Sequence, residues 1–315
     1  MNSIFNRLPD GLILLDGGMG QELINRGASG QGVLWSAKAL FDNPAAVRAV
    51  HEDYIRAGAD VITTNSYSCI RNNFEPEGLV DRLGEMNRLA ATLAQQARDN
   101  IGKPVLIAGS MGPQNGSYRP DLVGSYEETE ALYREQAELL APHVDFFICE
   151  TLSCLVEARA AVVAASSTGK PVWLSWSIED SGAAQLRSGE PIRAAWEDIA
   201  GLGVSAVLLN CSPPEAIGKV LPELVSISDI PVGAYANAFT PIPEKWDFHG
   251  EQSIPPSRTD VTPQAYADHA ASWLAAGARI IGGCCEVGPA HIAQIHETRI
   301  VRNSSSTNTQ NPQGA

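Results

Sequence analysis

The sequence predicts a single-domain α/β protein with the (β/α)8 fold, the TIM barrel. Short apolar runs alternate along the chain with segments of helical periodicity, and there are eight of each. Strands that alternate with helices of this length pair in parallel through right-handed crossovers. The runs are almost continuously apolar, which is typical of parallel strands buried on both faces. Because 315 residues suffice for eight strand–helix units, a closed barrel is favoured over an open sheet.

The predicted strands are short, mainly apolar runs, and most of them are followed by a polar residue or a glycine. In chain order they cover 12–15, 61–64, 105–108, 146–149, 172–175, 206–209, 231–235 and 279–281. The first predicted helix starts at Pro44 after Asn43 and ends before Gly58, which are typical terminal signals. The predicted helices cover 44–57, 79–98, 126–141, 153–165, 191–202, 214–225, 262–275 and 289–297.

Composition restricts the classes of function. The formal net charge of −14 argues against nucleic acid as a partner, because phosphates require basic surfaces. No apolar run approaches the ~18 residues of a membrane span, and residues 1–9 lack the basic start and apolar core of a secretory signal. We therefore expect a cytoplasmic protein with no membrane partner, and a monomer is favoured. We expect a barrel domain over 1–302 and a disordered tail over 303–315, which is rich in polar residues.

Three of the six cysteines are predicted to meet at the mouth of the barrel. Cys284 and Cys285 follow the last strand after Gly282-Gly283, and Cys211 follows the sixth strand. Adjacent cysteines can reach one point only where the chain leaves the strand, and glycine permits that departure. Three thiolates suit a catalytic zinc ion, Zn²⁺, which takes three protein ligands and keeps one position open. The alternative is three buried cysteines that pack as small apolar residues. No chemistry is assigned to the others: Cys69, Cys149 and Cys154.

Polar residues follow nearly every predicted strand, and in (β/α)8 barrels the chemistry lies at these strand ends. Asp16 after the first strand and Glu150 after the fourth can bind an α-ammonium group or act as an acid/base pair. The alternative is that each carboxylate caps a turn or the following helix. The loop 236–260 exceeds ~15 residues and is predicted to be a lid, with a mobile surface insert as the alternative. His249 in this loop is not expected to bind the metal.

Several motifs resemble the homocysteine S-methyltransferase family. They are Asp16-Gly17-Gly18, Leu34-Trp35-Ser36-Ala37, Ala57-Gly58-Ala59-Asp60-Val61-Ile62-Thr63-Thr64-Asn65-Ser66-Tyr67, Glu150-Thr151, Asn210-Cys211, Gly282-Gly283-Cys284-Cys285 and Pro289-Ala290-His291-Ile292. The resemblance extends over residues 12–295, and the cysteine pair with the distant Asn-Cys is its most specific part. Trp35-Ser36-Ala37 favours the branch of the family that uses S-methylmethionine as methyl donor.

The resemblance implies a zinc-dependent barrel and specific residue roles. The implied metal ligands are Cys211, Cys284 and Cys285. Asp16 and Glu150 match the carboxylates that hold the amino group of homocysteine, and Asn210 matches a polar residue beside the metal, counted here as substrate-binding.

The implied activity is zinc-dependent transfer of a methyl group from a sulfonium donor to the thiol of homocysteine, which gives methionine. The donor is S-methylmethionine or S-adenosylmethionine, and these small molecules are the expected partners. A sulfonium cation favours aromatic faces, and the candidate aromatic side chains are Trp35, Tyr67, Tyr235 and Trp246. Alternatives are another methyl donor, a selenocysteine or other thiol or selenol acceptor, and binding without turnover. A further alternative is a thiol redox protein in which Cys284 and Cys285 form a vicinal disulfide.

Overall fold

The computed structural model describes residues 12–29, 32–243, 246 and 255–307, of which 299–307 are described as backbone only. One parallel sheet contains β1 (Ile13–Leu14), β2 (Val61–Thr63), β3 (Leu106–Met111), β4 (Phe146–Leu152), β5 (Val172–Trp176), β6 (Ala206–Asn210), β7 (Val232–Tyr235) and β8 (Ile280–Ile281). Its order is β1-β8-β7-β6-β5-β4-β3-β2, and a parallel bridge between Leu15 and Val61 joins β1 to β2. The strands thus form a nearly closed barrel, which confirms the predicted (β/α)8 fold.

Helices cover the outside of this barrel. In the described part of the chain they are α1 (Met19–Asn25), α2 (Lys38–Asp42), α3 (Pro44–Arg56), α4 (Arg71–Phe74), α5 (Leu83–Ile101), α6 (Tyr126–Leu140), α7 (Leu155–Ser166), α8 (Ile192–Ile199), α9 (Pro214–Ile227), α10 (Pro263–Ala275) and α11 (Pro289–Thr307). All eight predicted helices are present. The sequence analysis missed α1, α2 and α4, because helices this short give no periodic apolar signal.

Local sequence signals set the starts of three of the long helices. The Asn43 side chain accepts a hydrogen bond from the backbone N–H of Ala46, and Pro44 occupies the first turn of α3. Ser125 and Glu128 form a reciprocal capping box at the start of α6. At α10 the side chain of Thr262 accepts a hydrogen bond from the backbone of Ala265. These caps satisfy N–H groups that have no partner inside the helix.

The apolar core has two layers, one inside the barrel and one between sheet and helices. Successive strand residues point to opposite faces, so Phe146 and Ile148 of β4 lie inside the barrel. Phe147 and Cys149 lie in the outer layer. The rings of Phe146 and Trp173 meet inside with their centroids 4.5 Å apart. Packed side chains therefore fill the described part of the barrel below its mouth, as is typical of this fold, in which ligands bind at the carboxyl ends of the strands.

Several elements extend beyond their predicted ends. The strands β3 and β4 continue past 108 and 149, so that Ser110 and Glu150 belong to the sheet. The helix α11 continues to Thr307, and the tail boundary predicted at 303 therefore falls inside it, while 308–315 lie outside the described residues. Within the described residues, no helix has both the length and the apolar character required to cross a membrane.

Candidate metal and substrate site

The structure brings the three predicted cysteines together at the barrel mouth. The Sγ atoms of Cys211, Cys284 and Cys285 all lie within 4.8 Å of one another. Cys211 follows β6, whereas Cys284 and Cys285 follow β8. Cys211 and Cys284 form a disulfide, and Cys285 is free. The alternative prediction of a vicinal disulfide between Cys284 and Cys285 is therefore wrong, because the turn after β8 points the Cys284 sulfur across the mouth towards β6.

Glycines allow the turns after β1 and β8 to approach closely enough to form this cluster. A Cβ atom on Gly18 would lie 2.7 Å from the carbonyl oxygen of Cys284. A Cβ atom on Gly283 would overlap the side chain of Val287. The backbone N–H of Gly283 donates to the carbonyl oxygen of Asp16 at 2.9 Å. A side chain at either glycine would therefore push the cysteine turn away from β1.

The donor set fits a thiophilic metal ion once the disulfide is reduced. Three thiols face one point beside a cavity, which leaves a side open for a further ligand, as in catalytic zinc sites. Burial, together with the nearby carboxylates of Glu286 and Glu150, raises the pKa of the Cys285 thiol to about 12. A thiolate at this position is thus unfavourable without a nearby positive charge, and a bound cation would supply that charge.

The predicted carboxylates lie in the same cavity as the sulfurs. The Asp16 carboxylate accepts hydrogen bonds from the backbone N–H of Thr63 at 2.8 Å and from its hydroxyl at 3.1 Å. Glu150 accepts hydrogen bonds from the hydroxyls of Ser110 and Tyr235, the latter at 3.1 Å. Burial raises the pKa of both carboxyls, and for Asp16 the charge of Glu150 raises it further. Neither carboxylate caps a helix, so the alternative interpretation of these two residues as caps does not hold.

The cavity combines these carboxylates with an aromatic wall. It encloses about 850 Å³ of empty space, its opening to solvent included. All four predicted aromatic residues line it, together with Tyr118 and Phe239, which the sequence analysis missed. No arginine or lysine belongs to its described lining. The cavity therefore presents two buried carboxylates, three sulfurs and several aromatic faces, a chemistry that favours a small cationic ligand.

Asn210 lies beneath this cavity rather than in its lining. Its side chain is fully buried. The amide oxygen accepts hydrogen bonds from the backbone N–H of Thr151 at 2.9 Å and from the hydroxyl of Ser175 at 2.7 Å. The amide nitrogen donates to the hydroxyl of Thr151 at 2.9 Å. These bonds hold Thr151 at a left-handed φ of 64°, directly after Glu150, where the register of β4 against β5 shifts.

Of the predicted lid, the loop 236–260, the structure describes residues 236–243, 246 and 255–260. Trp246 is buried, and its ring centroid lies 5.8 Å from that of Tyr118. His249 and most of the loop around it lie outside the described residues. Tyr118 belongs to the connection between β3 and α6, and no strand or helix pattern in the sequence marks that connection. The sequence contains no local signal that places Tyr118 beside the cysteines, because that contact joins two segments far apart in the chain.

The fold and the site define a parallel (β/α)8-barrel protein with a cluster of three cysteines, a candidate metal site, at the carboxyl ends of its strands. The sequence profile of the homocysteine S-methyltransferase family matches residues 13–299. The chain belongs to this family, which confirms the resemblance found in its motifs.

Individual relatives support this assignment. A homocysteine S-methyltransferase of Escherichia coli is 34% identical over 304 residues, which cover 90% of this chain and 94% of the relative. A selenocysteine Se-methyltransferase of Brassica oleracea is 28% identical, covering 93% of this chain and 90% of the relative. Among solved structures, the metallated form of the E. coli homocysteine methyltransferase MmuM superposes with a TM-score of 0.78 at 32% identity, covering 92% of this chain and 96% of that one. The oxidized form of the same protein gives 0.79 at 31% identity, covering 94% and 98%.

Proposed function

We propose that this protein transfers a methyl group from a sulfonium donor to the thiol of homocysteine and thereby forms methionine, with Zn²⁺ as its metal. The observation that carries the proposal is the convergence of three cysteine sulfurs and two buried carboxylates in one cavity. Membership of the homocysteine S-methyltransferase family supports the choice of reaction.

In this proposal the metal ligands are Cys211, Cys284 and Cys285, in their reduced form. When bound, zinc would supply the positive charge that keeps the sulfur of the acceptor as a thiolate at neutral pH. The predicted thiol cluster needs no other ligand from the chain, because catalytic zinc sites take three protein ligands and leave the fourth position to water or substrate.

Asp16 and Glu150 bind the ammonium group of homocysteine in this proposal. Each carboxylate is buried and carries a raised pKa, so its charged form is unfavourable there, and a cationic amino group beside it would offset that cost. Asn210, predicted as a substrate-binding residue, is given a supporting role because it lies outside the cavity lining. It positions Glu150 through its three hydrogen bonds to Thr151 and Ser175.

The aromatic wall receives the donor. A sulfonium is a cation without hydrogen-bond donors on its sulfur, and aromatic faces attract such cations. Tyr118 and Trp246 pack against the sulfur cluster, so a donor held between wall and sulfurs has its methyl group next to the acceptor. The acceptor thiolate forms a bond to the methyl carbon, and the carbon–sulfur bond of the donor breaks. The electron pair of the broken bond returns to the donor sulfur, which leaves as a neutral thioether.

The proposal is tested with reduced protein, by metal analysis and a donor panel. We expect about one zinc ion per chain, and methionine from homocysteine with S-methylmethionine or S-adenosylmethionine. Betaine and dimethylsulfoniopropionate serve as comparison donors. Reduced, zinc-loaded protein that forms no methionine from any of these donors would contradict the proposal, as would full activity in protein stripped of metal.

A second candidate keeps the reaction but changes the acceptor. Relatives named as selenocysteine methyltransferases match this chain at 28% and 29% identity, close to the 30% of two maize homocysteine S-methyltransferases. Competition between homocysteine and selenocysteine for one limiting donor gives the ratio of kcat/KM values directly. A ratio that favours selenocysteine would replace homocysteine as the main acceptor.

A third candidate is a thiol redox function, and the disulfide between Cys211 and Cys284 is the observation that favours it. Thiol titration before and after zinc loading separates it from methyl transfer. A redox protein would cycle this disulfide with a thiol substrate and bind no stoichiometric metal.

A further inference from the structure

We propose that Arg187 is a positioning residue for methyl transfer, because one guanidinium holds both the turn that carries Cys211 and the ring of Tyr118 beside the sulfur cluster. The inference rests on the proposed function and adds to it a residue outside the family motifs of the sequence. Arg187 lies in the connection between β5 and α8, and it does not line the cavity. It acts on the reaction only through the residues that do.

The guanidinium of Arg187 reaches the backbone of Cys211. Its Nη2 donates to the carbonyl oxygen of Cys211 at 3.5 Å and to Oδ1 of Asp180 at 2.6 Å. Its Nε donates to the hydroxyl of Ser177 at 2.7 Å. That hydroxyl in turn donates to the same Cys211 carbonyl at 3.3 Å. The carbonyl of Cys211 therefore receives one hydrogen bond directly from Arg187 and a second through Ser177.

The backbone of Cys211 requires such support. Its φ of 45° lies in the left-handed region, which is unfavourable for a residue with a Cβ atom and persists only when surrounding contacts hold it. The backbone N–H of Cys211 donates to the carbonyl oxygen of Tyr235 at 3.3 Å. Because the backbone atoms of a residue fix its Cα–Cβ bond, holding both the N–H and the carbonyl of Cys211 fixes the point from which its sulfur extends into the cluster.

The same guanidinium stacks on Tyr118. The guanidinium carbon lies 4.6 Å from the ring centroid of Tyr118. Tyr118 also has a left-handed backbone, with φ of 64°, and its ring contacts Trp246. Two of the five non-glycine residues with positive φ in the described chain are thus contacted by one arginine. Arg187 holds the aromatic wall and a predicted metal ligand in one unit.

Arg187 forms an ion pair with Asp180, and Asp180 in turn contacts the segment after β7. The other carboxylate oxygen of Asp180 accepts a hydrogen bond from the backbone N–H of Ile242 at 3.0 Å. The Arg187 side chain is 11% exposed, less than any other arginine in an ion pair of the described chain. Burial excludes water from the guanidinium, so its hydrogen bonds are stronger and more directional than those of the exposed surface pairs.

The test replaces Arg187 while keeping the length of its apolar stem. In Arg187→Met, we expect zinc affinity, measured by competition with a chromophoric chelator, to fall about 10- to 100-fold, as when other partners behind metal ligands are removed. At saturating zinc, the KM of the sulfonium donor should rise about 2- to 10-fold, because the Tyr118 ring loses its support. The KM of homocysteine should stay within about twofold, because Asp16 and Glu150 are held by other strands.

Arg159→Met is the matched control. Arg159 forms a bidentate pair with Asp198 between α7 and α8, away from the cavity. Its loss should leave zinc affinity and both KM values unchanged. Wild-type zinc affinity and donor KM in Arg187→Met would overturn the proposal, even if its melting temperature fell, since Arg187 would then be only structural.

Two further variants keep the test decisive if Arg187→Met fails to fold. Ser177→Ala should lower zinc affinity without changing the donor KM, and Tyr118→Leu should raise the donor KM without changing zinc affinity. If neither separation is observed, the coupled roles assigned to Arg187 are wrong. Absence of methionine formation in the wild type would instead contradict the proposed function, and the zinc measurements would still test the link from Arg187 to Cys211.

Discussion

The two sides of the cavity are positioned by different means. On the carboxylate side, Asp16 and Glu150 lie at strand ends and receive hydrogen bonds from neighbouring strands. On the sulfur side, the cysteines lie in turns beyond β6 and β8, and Cys211 has a left-handed backbone. The carboxylates of the first side are held by groups of the sheet itself, with Asn210 of β6 supporting Glu150, whereas the turns of the second side are held by side chains from other loops. Changes on the sulfur side should therefore affect metal binding and transfer together, while changes on the carboxylate side should affect one substrate.

The largest expected effect comes from removing a predicted metal ligand. Cys211→Ala or Cys284→Ala should lose stoichiometric zinc and at least ~10³-fold in kcat/KM, because a Lewis acid contributes several kcal/mol to the transition state. The barrel should stay folded, since these side chains lie above its packed interior. Metal analysis, a methionine assay and circular dichroism measure the three properties.

Cys154→Ala is the control for this experiment, because Cys154 is buried but lies outside the sulfur cluster. It should keep both zinc and turnover. Retained transfer in a metal-free Cys211→Ala protein would contradict the metal role of this side of the cavity.

The next largest effect is expected on the carboxylate side. Glu150→Gln keeps the shape and an oxygen acceptor for Tyr235 but removes the charge, so the KM of homocysteine should rise about 10²-fold with zinc content unchanged. The desamino analogue 4-mercaptobutyrate should be used equally well by both proteins. Glu157→Gln is the control, because Glu157 is also buried with a pKa raised to about 7 but does not line the cavity. If Glu150→Gln raised the KM of homocysteine and that of 4-mercaptobutyrate by similar factors, ammonium binding by Glu150 would be excluded.

The same variant should change the pH dependence of stability. Burial raises the pKa of Glu150 above its ordinary value of 4.5. In the pH window between the ordinary and the raised pKa, the folded protein therefore keeps a proton that the unfolded chain releases. The unfolding free energy of the wild type therefore falls as pH rises through this window. Denaturant titrations at several pH values should show that Glu150→Gln lacks this loss.

A smaller effect on the KM of homocysteine is expected from removing Asn210, the residue proposed to position Glu150. Asn210→Ala removes the three hydrogen bonds to Thr151 and Ser175 and a fourth, at 4.0 Å, from the amide nitrogen to the sulfur of Cys284. We expect the unfolding free energy to fall by about 1–3 kcal/mol and the KM of homocysteine to rise less than in Glu150→Gln. Asn87→Ala is matched to it, because Asn87 is fully buried and hydrogen-bonded to Cys69 and Leu83 outside the cavity. An equal KM in the two variants would show that Asn210 contributes only to stability.

The smallest effect on turnover is expected far from both sides. His51 in α3 is fully buried, and neither ring nitrogen has a hydrogen-bond partner in the described structure. Burial lowers the pKa of His51 from 6.5 to about 3, so the unfolded chain binds a proton that the folded one does not. Stability is complete above pH 6.5 and decreases towards pH 3. His51→Leu should remove this decrease, about 1.4 kcal/mol per pH unit, and leave both KM values unchanged; identical acid profiles would contradict it.

The sequence was sufficient for the fold and the sulfur cluster for a common reason. Strands and helices are marked in the sequence by runs and periodic patterns of apolar residues. Glycines directly before two adjacent cysteines mark a turn that can bring both sulfurs to one point. Asp16 and Glu150 were found because they directly follow apolar runs. The methyl donor and the zinc ion remain predictions, because donor choice depends on the shape of a cavity that no local pattern encodes.

The sequence by itself determined the eight strand–helix units, the strand ends at which the cavity lies, and the six polar and sulfur residues in or directly beneath it. Only the tertiary structure decided that Asn210 lies beneath the cavity, that Cys211 pairs across the mouth with Cys284, that Tyr118 lines the cavity, and that Arg187 contacts both Tyr118 and Cys211. The physical reason is that the first group depends on neighbours a few residues apart. The second depends on side chains from different loops that meet only when the barrel closes.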